Sequence, residues 1–243
     1  MRDSNDWISI SDMMAGVMMI FLLITVSYIY VTEMDKKVLE EKNTKLEEAN
    51  KKINDIATTY TSLQLNLNRA LKSEFSVDLD KWNAEIDDDN TLRFKEPEVY
   101  FDAGESEVKE RFKKILENFF PRYIDILSQP QFKEYIEDIR IEGHTSDEWN
   151  VASTIDERYI KNAELSQARA LNVLRYCFAQ TDIDSHKNWL IEVLRATGLS
   201  YAKPLPNEDA SRRVEFKAVV KTKEKILEIL DIAEKIDSVS QSR

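Results

Sequence analysis

Residues Ile8 to Val31, ISISDMMAGVMMIFLLITVSYIYV, hold one carboxylic acid, Asp12, and from Met13 through Thr32 there is no charged residue at all. An apolar run of this length, rising about 1.5 Å per residue as a helix, matches a hydrocarbon core of roughly 30 Å. The spacing therefore predicts a transmembrane helix. A secretory signal peptide carries a basic leader and small residues at its cleavage site. Here the leader MRDSNDW sets one arginine against two acids and the run ends in bulky SYIYV, which predicts an uncleaved anchor. Helical periodicity runs back through Trp7, Ser9 and Ser11, so Asp12 sits in the first turns. An ionised aspartate at the centre of a span costs roughly 2.5–3.5 kcal/mol, and less near its end. Two roles fit such a group. It caps the helix from the headgroup layer, where the helix dipole favours an acid, or it is a protonated or paired carboxyl with a function.

Charge and composition remove several classes. Asp plus Glu number 45 against 34 Lys plus Arg, for a net charge of −11. That balance argues against a nucleic-acid surface, so no direct nucleic-acid partner is expected. Gly16, Gly104, Gly143 and Gly198 stand too far apart to make a Gly-rich phosphate loop. Cys177, the single cysteine, lies in LNVLRYCF and reads as a small buried helix residue. His144 and His186 have no Cys or His at ligand spacing, which argues against a structural metal site. Glu142 and Asp147 flank the His144-Thr145 pair, but nothing places a water between them. The expectation is a protein that is not an enzyme and holds no cofactor.

After the span, Val31 to Glu74 contain neither Gly nor Pro. Leu39, Leu46, Ile53, Tyr60 and Leu67 fall at heptad spacing, with Ala49, Ile56, Leu63 and Ala70 three further on and Lys42 the one charged member. This is a coiled-coil a/d seam. It predicts a long helix that pairs with its own copy, or else lies along another surface. From Phe75 the period changes. WNAEIDDDNTLRFKEPEVYFDAG reads as a β-hairpin about DDDN and then a strand ending at Phe101. SEVKERFKKILENFFPRYIDIL is an amphipathic helix, DIRIEGHT a strand, Glu164 to Phe178 a helix, HKNWLIEVLRATGL a helix and RRVEFKAVVK a last strand. The fold class is α+β, with helices on one face of a small mixed sheet. The expected divisions are 1–32 for the tail and transmembrane helix, 33–74 for the helical linker, 75–221 for the α+β domain, and 222–243 for a C-terminal helix and tail.

The segments VYFDAGESEVKE, IRIEGHTSDEW, NAELSQARALNVLRY and DASRRVEF, in that order, resemble the OmpA-like peptidoglycan-binding domain over roughly half the chain. The resemblance implies a peptidoglycan partner. Carried over residue by residue, it implies a muropeptide pocket made by Thr145 and the loop after it, Asp147, Asn162, Leu165, Arg169, and the Ser211-Arg212-Arg213 segment. A diaminopimelate side chain ends in an ammonium and a carboxylate. Such a ligand asks for an acid, here Asp147, and for the planar fork of an arginine. Ser146 stands where the family has an aspartate, Lys161 where it has a tyrosine and Ser211 where it has an asparagine. Arg169 and Arg213 also suit ordinary ion pairing on a helix face and a strand edge. His144 is expected to be structural.

Trp7, Asp12 and the run Met13, Met14, Ala15, Met18, Met19, Phe21 resemble the start of MotB-type B subunits of ion-driven stators, and most of all the B subunits of Zorya anti-phage defence systems. Anchor, helical linker and OmpA-like domain follow in the same order there. The resemblance implies that Asp12 carries the translocated ion, H⁺ or Na⁺. A carboxyl held out of water favours its neutral form, so it can take a proton from one side and release it to the other. For Na⁺, Ser9, Ser11, Thr25 and Ser27 offer oxygens, which equally suit helix packing. The implied partners are a second copy in a homodimer, several multi-span MotA/ZorA-like A subunits around it, peptidoglycan, and cytoplasmic effector proteins reached indirectly. The implied place is the bacterial inner membrane, single-pass, with the N-terminus cytoplasmic and the C-terminal domain periplasmic. The flanking charges alone do not favour that orientation, since Arg2 precedes the span and Lys36, Lys37 and Lys42 follow it. A flagellar stator and a passive membrane-to-wall tether remain the alternatives.

Overall fold

The computed structural model describes residues 3–95, 100–147, 154–206, 208–221, 227 and 229–232, the side chains of 3–9 and 209 excepted. Its first element is one helix, α1 (Asp3–Phe75). Packing divides the chain into two units, Met1–Ile56 with Ile226–Arg243, and Ala57–Lys225.

In the first unit the apolar run of α1 is unburied, with a mean hydropathy of 2.2 over its most apolar window. Met13, Met18, Phe21, Leu23 and Tyr30 are all exposed. The helix is thus long and apolar enough to cross a membrane. Thr25 and Thr32 donate their hydroxyls back to the carbonyls of Phe21 and Tyr28 at 2.7 and 2.9 Å, satisfying them within the helix as an apolar surrounding requires. Trp7 lies in the helix, its side chain outside the described residues. Further along, Leu39 and Leu46 are exposed while Ala49 is buried. Of the expected C-terminal helix, Leu227 and residues 229–232 are helical, and the rest lies outside the described residues.

The second unit claims the end of α1. Leu67, Leu71 and Phe75 are fully buried in its core, with Leu63 and Ala70 packed against it. The stripe Leu63, Leu67, Leu71, Phe75 steps by four, broader than a heptad seam and suited to a globular core. Arg122 fastens the helix end. Its Nε donates to Glu74 Oε1 at 2.7 Å, its Nη1 to Asp78 Oδ2 at 2.9 Å, and its guanidinium lies 4.9 Å over the Phe75 ring.

After a short helix α2 (Leu79–Trp82), β1 (Ala84–Ile86) and β2 (Thr91–Phe94) form the expected hairpin. Asn90 takes its left-handed position at φ 65°, which asparagine tolerates. Then come α3 (Glu110–Leu127), α4 (Pro130–Lys133), β3 (Ile136–His144), α5 (Ile155–Phe178), a 3₁₀ turn (Asp184–His186), α6 (Lys187–Val193), β4 (Leu194–Gly198), α7 (Glu208–Ser211) and β5 (Arg213–Val220). The sheet order is β1-β2-β5-β3-β4, antiparallel except for β3 beside β4.

Three expectations are corrected. The strand ending at Phe101 is absent over its described residues, since β2 stops at Phe94 and Phe101 lies in a bend; 96–99 lie outside the described residues. Tyr100 and Phe101 both pack on Phe112, at 4.3 and 6.1 Å between ring centres, whereas neighbours in a strand point to opposite faces. The helix HKNWLIEVLRATGL ends at Val193, and LRATG becomes β4. Gln167 of α5 secures that edge, accepting from Gly198 N–H at 2.7 Å. Finally, α5 begins at Ile155 rather than Glu164, opened by a capping box in which the Thr154 hydroxyl accepts from Glu157 N–H and the Glu157 carboxylate accepts from Thr154 N–H.

One face of the sheet is apolar. Leu92, Phe94, Ile139, Ile141, Val214 and Phe216 are buried with the aromatic stripe of α3, Phe119 meeting Phe216 at 4.9 Å. On the same face α5 presses so close to β3 that a Cβ on Gly143 would stand 2.2 Å from the Ser166 carbonyl oxygen. Cys177 of α5 is buried here as expected, and burial pushes its thiol pKa up. Gly143→Ala is expected to destabilise the second unit by about 1–3 kcal/mol through overpacking, read as a lower urea midpoint at unchanged slope.

Candidate functional site

At the end of β3 the chain turns out through Thr145, Ser146 and Asp147. Thr145 N–H donates to the Ser200 carbonyl and Leu199 N–H to the Gly143 carbonyl, both at 2.9 Å, so the segment after β4 is zipped to the end of β3. That segment, YAKPLP, then runs to α7, where Leu205 N–H donates to Ser211 Oγ at 2.9 Å. Between the two lies a cleft of about 220 Å³, lined among the described residues by Thr145, Ser146, Asp147, Tyr201, Pro204, Leu205, Pro206, Glu208 and Ser211. Its lining combines two acids, Asp147 and Glu208, and several hydroxyls with the apolar residues Pro204, Leu205 and Pro206. Such a lining accepts an ammonium and holds an aliphatic chain.

The expected residues separate. Thr145 and Asp147 line the cleft, Thr145 buried and Asp147 exposed. The others do not. Asn162 is buried within α5 and donates to the Arg158 carbonyl at 3.1 Å. Leu165 and Arg212 are half-buried outside the lining. Arg169 is buried, donating from Nε to the Glu105 carbonyl at 2.8 Å and from Nη2 to the Asp102 carbonyl at 3.3 Å, with its guanidinium 4.9 Å over Phe101. Burial, aided by the charge of Arg212, brings its pKa down to about 10, and it stays charged at neutral pH. Arg213 is buried too, giving Nε to Glu215 Oε1 at 2.6 Å and Nη1 to the Ser211 carbonyl at 3.1 Å. Both guanidiniums thus hold this chain's own segments, Arg169 the one at 102–105 and Arg213 the one that carries Ser211. Tyr201, Leu205, Glu208 and the two prolines are the lining residues that the motifs pass over, although an aromatic and two prolines in the six residues YAKPLP signal a shaped loop.

Behind Thr145 the polar face of the sheet is also buried. Glu142 and His144 of β3 stand opposite Glu215 and Arg213 of β5. Glu215 Oε1 accepts from Arg93 Nε at 2.7 Å as well as from Arg213, and Oε2 lies 3.3 Å from His144 Nε2. His144 Nε2 is 3.9 Å from Glu142 Oε2. Burial works to raise the Glu215 pKa, but His144, Arg213 and Arg93 outweigh it and hold the carboxyl well below the usual range. Burial pulls His144 down, Arg213 adding to it and Glu215 opposing, so the imidazole is neutral at pH 7. Glu142, His144 and Glu215 bring their ligand atoms within 4.8 Å of one another, a grouping the sequence spacing does not reveal. In donor type it suits a divalent cation, but the two arginines already supply the countercharge. The arrangement is an ion-pair network that fixes the strand ends beneath the cleft.

Comparison with known proteins covers nearly all of the chain. Residues 100–210 match the OmpA family. Over 236 residues, 94% of this chain and 94% of the other, it is 37% identical to the Zorya protein ZorB of Escherichia coli. The chain belongs to the ZorB family. Among solved structures, the chain is similar to the cell wall anchor of the T6SS from Pseudomonas aeruginosa, at 20% identity with a TM-score of 0.43 over 62% of this chain and 97% of that one. A MotB-like protein from Desulfovibrio vulgaris is 24% identical with a TM-score of 0.45 over 68% of this chain and 93% of that one. In this ZorB-family chain the OmpA match takes in β3, α5, β4 and the cleft wall as far as residue 210, while the hairpin β1-β2 and β5 with Arg213 and Glu215 lie outside it.

The network sets a pH dependence. Both His144 and Glu215 have folded pKa values below their ordinary ones, so each contributes stability that is present above its unfolded pKa and lost as pH falls. Stability of the second unit is expected to decline first below 6.5 and again below 4.5, the unperturbed values of the two groups. Urea midpoints of the chain measured from pH 8 to 3 check this, and His144→Gln is expected to remove the first decline while keeping the second.

Proposed function

We propose that this chain is the membrane-anchored, peptidoglycan-gripping stator subunit of a Zorya-type anti-phage motor, driven by an ion that Asp12 carries. It is a non-enzymatic part. The observation that carries the reading is Asp12 itself, one acid at the head of an unburied apolar span in a chain whose similarity to ZorB covers nearly all of its length. By itself the helix leaves Asp12 open on its surface. Partner subunits that enclose it supply the dry surroundings in which a carboxyl takes up and releases a proton. Those partners are multi-span A subunits around a homodimer, which the exposed Leu39 and Leu46 of the heptad seam support. The span sits in the bacterial inner membrane with its N-terminus cytoplasmic, and the OmpA-like unit grips the wall from the periplasm. In that grip Thr145 and Asp147 meet the stem peptide, Asp147 taking its ammonium. Arg169 and Arg213 hold the surrounding segments, Asn162 bonds within its own helix, and the half-buried Arg212, next in sequence to the lining residue Ser211, stands for the carboxylate.

Asp12→Asn keeps size and hydrogen bonding but cannot cycle a proton. In cells carrying the whole operon it is expected to abolish phage protection, plaquing rising to the level of cells without the operon, at unchanged protein level. Loss of swimming with protection intact would assign a flagellar role instead. Full protection by the Asp12→Asn variant would leave a passive tether.

A further inference from the structure

The cleft continues beyond its acids and hydroxyls. Tyr201, part of its wall, meets Tyr159 of α5 edge to face, ring centres 6.0 Å apart at 89°. Tyr159 is 51% exposed, and Ile155 and Ile160 on the same turns are 70% and 54% exposed. The backbone below the two rings is tied together at Ser200, which is buried and left-handed at φ 51°. Its N–H donates to Ser166 Oγ at 3.0 Å, its carbonyl accepts from Thr145 N–H at 2.9 Å, and its hydroxyl donates to the Tyr159 carbonyl at 3.4 Å. One buried serine therefore joins α5, the end of β3 and the Tyr201 turn. Aromatic rings held on a fixed backbone lose little freedom when a ligand covers them.

Size decides what can lie there. A cleft of about 220 Å³ falls below the roughly 300–1,000 Å³ of pockets that enclose a drug-sized ligand. It has room for the end of a peptide side chain and not for a disaccharide. Any sugar joined to that peptide lies outside the cleft, where the rim is the nearest surface it can meet. A pyranose ring presents an apolar C–H face edged by hydroxyls. That is the complement of an exposed aromatic ring such as Tyr159, set against the cleft-wall residue Tyr201.

We propose that Tyr159 and Tyr201 form a platform for a sugar ring, so that the site takes a stem peptide still attached to its glycan in preference to the peptide alone. This rests on the reading of the cleft as the stem-peptide site. The test uses the full-length chain in detergent and two probes, a disaccharide-tetrapeptide containing diaminopimelate and the same tetrapeptide free, titrated by calorimetry. The wild type is expected to bind the disaccharide-peptide roughly five- to tenfold more tightly. Tyr159→Ala brings the ratio close to one, and Tyr159→Phe keeps it. Asp147→Ala weakens both probes together and keeps the ratio, which reports on the cleft separately from its rim. Equal affinities in the wild type, or an unchanged ratio in Tyr159→Ala, overturn the platform while leaving the cleft reading in place. If Asp147→Ala changes neither affinity, or if neither probe binds, the cleft reading fails and the platform with it. If Tyr159→Ala instead lowers the sedimentation coefficient and leaves the ratio intact, the rings are an interface between copies and the proposal is overturned.

Discussion

A sheet with one charged face can be buried only if its charges are matched, and the carboxylate of Glu215 does most of that matching here. It stands on β5, the strand in the middle of the sheet order, and takes a guanidinium from β2 and another from its own strand while facing the imidazole of β3. A buried carboxylate alone is costly, and removing one partner from such a set leaves an uncompensated charge. The network therefore constrains register as well as energy. Shifting β5 by one residue would send Arg213 and Glu215 into the aromatic face and Phe216 out of it. Since Arg213 also holds the Ser211 carbonyl, the strand pairing extends into the wall of the cleft.

The long helix shows one sequence pattern used in two ways. Its heptad positions Leu39 and Leu46 are exposed, whereas Leu67 and Ala70, at the same spacing, are taken up by the second unit. The difference lies in the neighbours. Leu71 and Phe75 broaden the later stripe, and Asn68 donates to the Asp87 carbonyl at 2.7 Å, joining the helix to the hairpin turn. Where only the narrow seam is apolar, as at Leu39 and Leu46, those leucines stay exposed.

Much of this was legible in the sequence, and the gaps have physical causes. Periodicity alone marks α3, β3, β5 and the hairpin at Asp87–Asn90. It misses β4 because LRATG continues a helical apolar spacing, and only the edge of β3 and the amide of Gln167 turn it into a strand. The start of α5 carried a visible signal, Thr154 three before Glu157. At the site, motif spacing places Thr145 and Asp147 on the cleft, because a strand end and the residues just after it move together. It cannot say which way a guanidinium points. Arg169 and Arg213 fit a ligand's carboxylate and this chain's own acceptors equally well on paper, and in the structure both are buried on their own chain, Arg169 against two carbonyls and Arg213 against the Glu215 carboxylate and the Ser211 carbonyl. Tyr201 enters the site through a hydrogen bond between Thr145 and Ser200, a pairing across the chain that no local pattern encodes.

The thiol of Cys177 lies wholly inside the second unit with its ionisation suppressed. A thiolate is the form that reacts. Once α5 has packed, this side chain is chemically silent toward oxidants and toward other thiols. Its exposure is confined to the interval before folding is complete, so any crosslinked or oxidised molecules in a preparation record chains trapped in that interval. The same silence makes the native chain a blank for labelling: a cysteine introduced at the surface is the one position a thiol reagent reads.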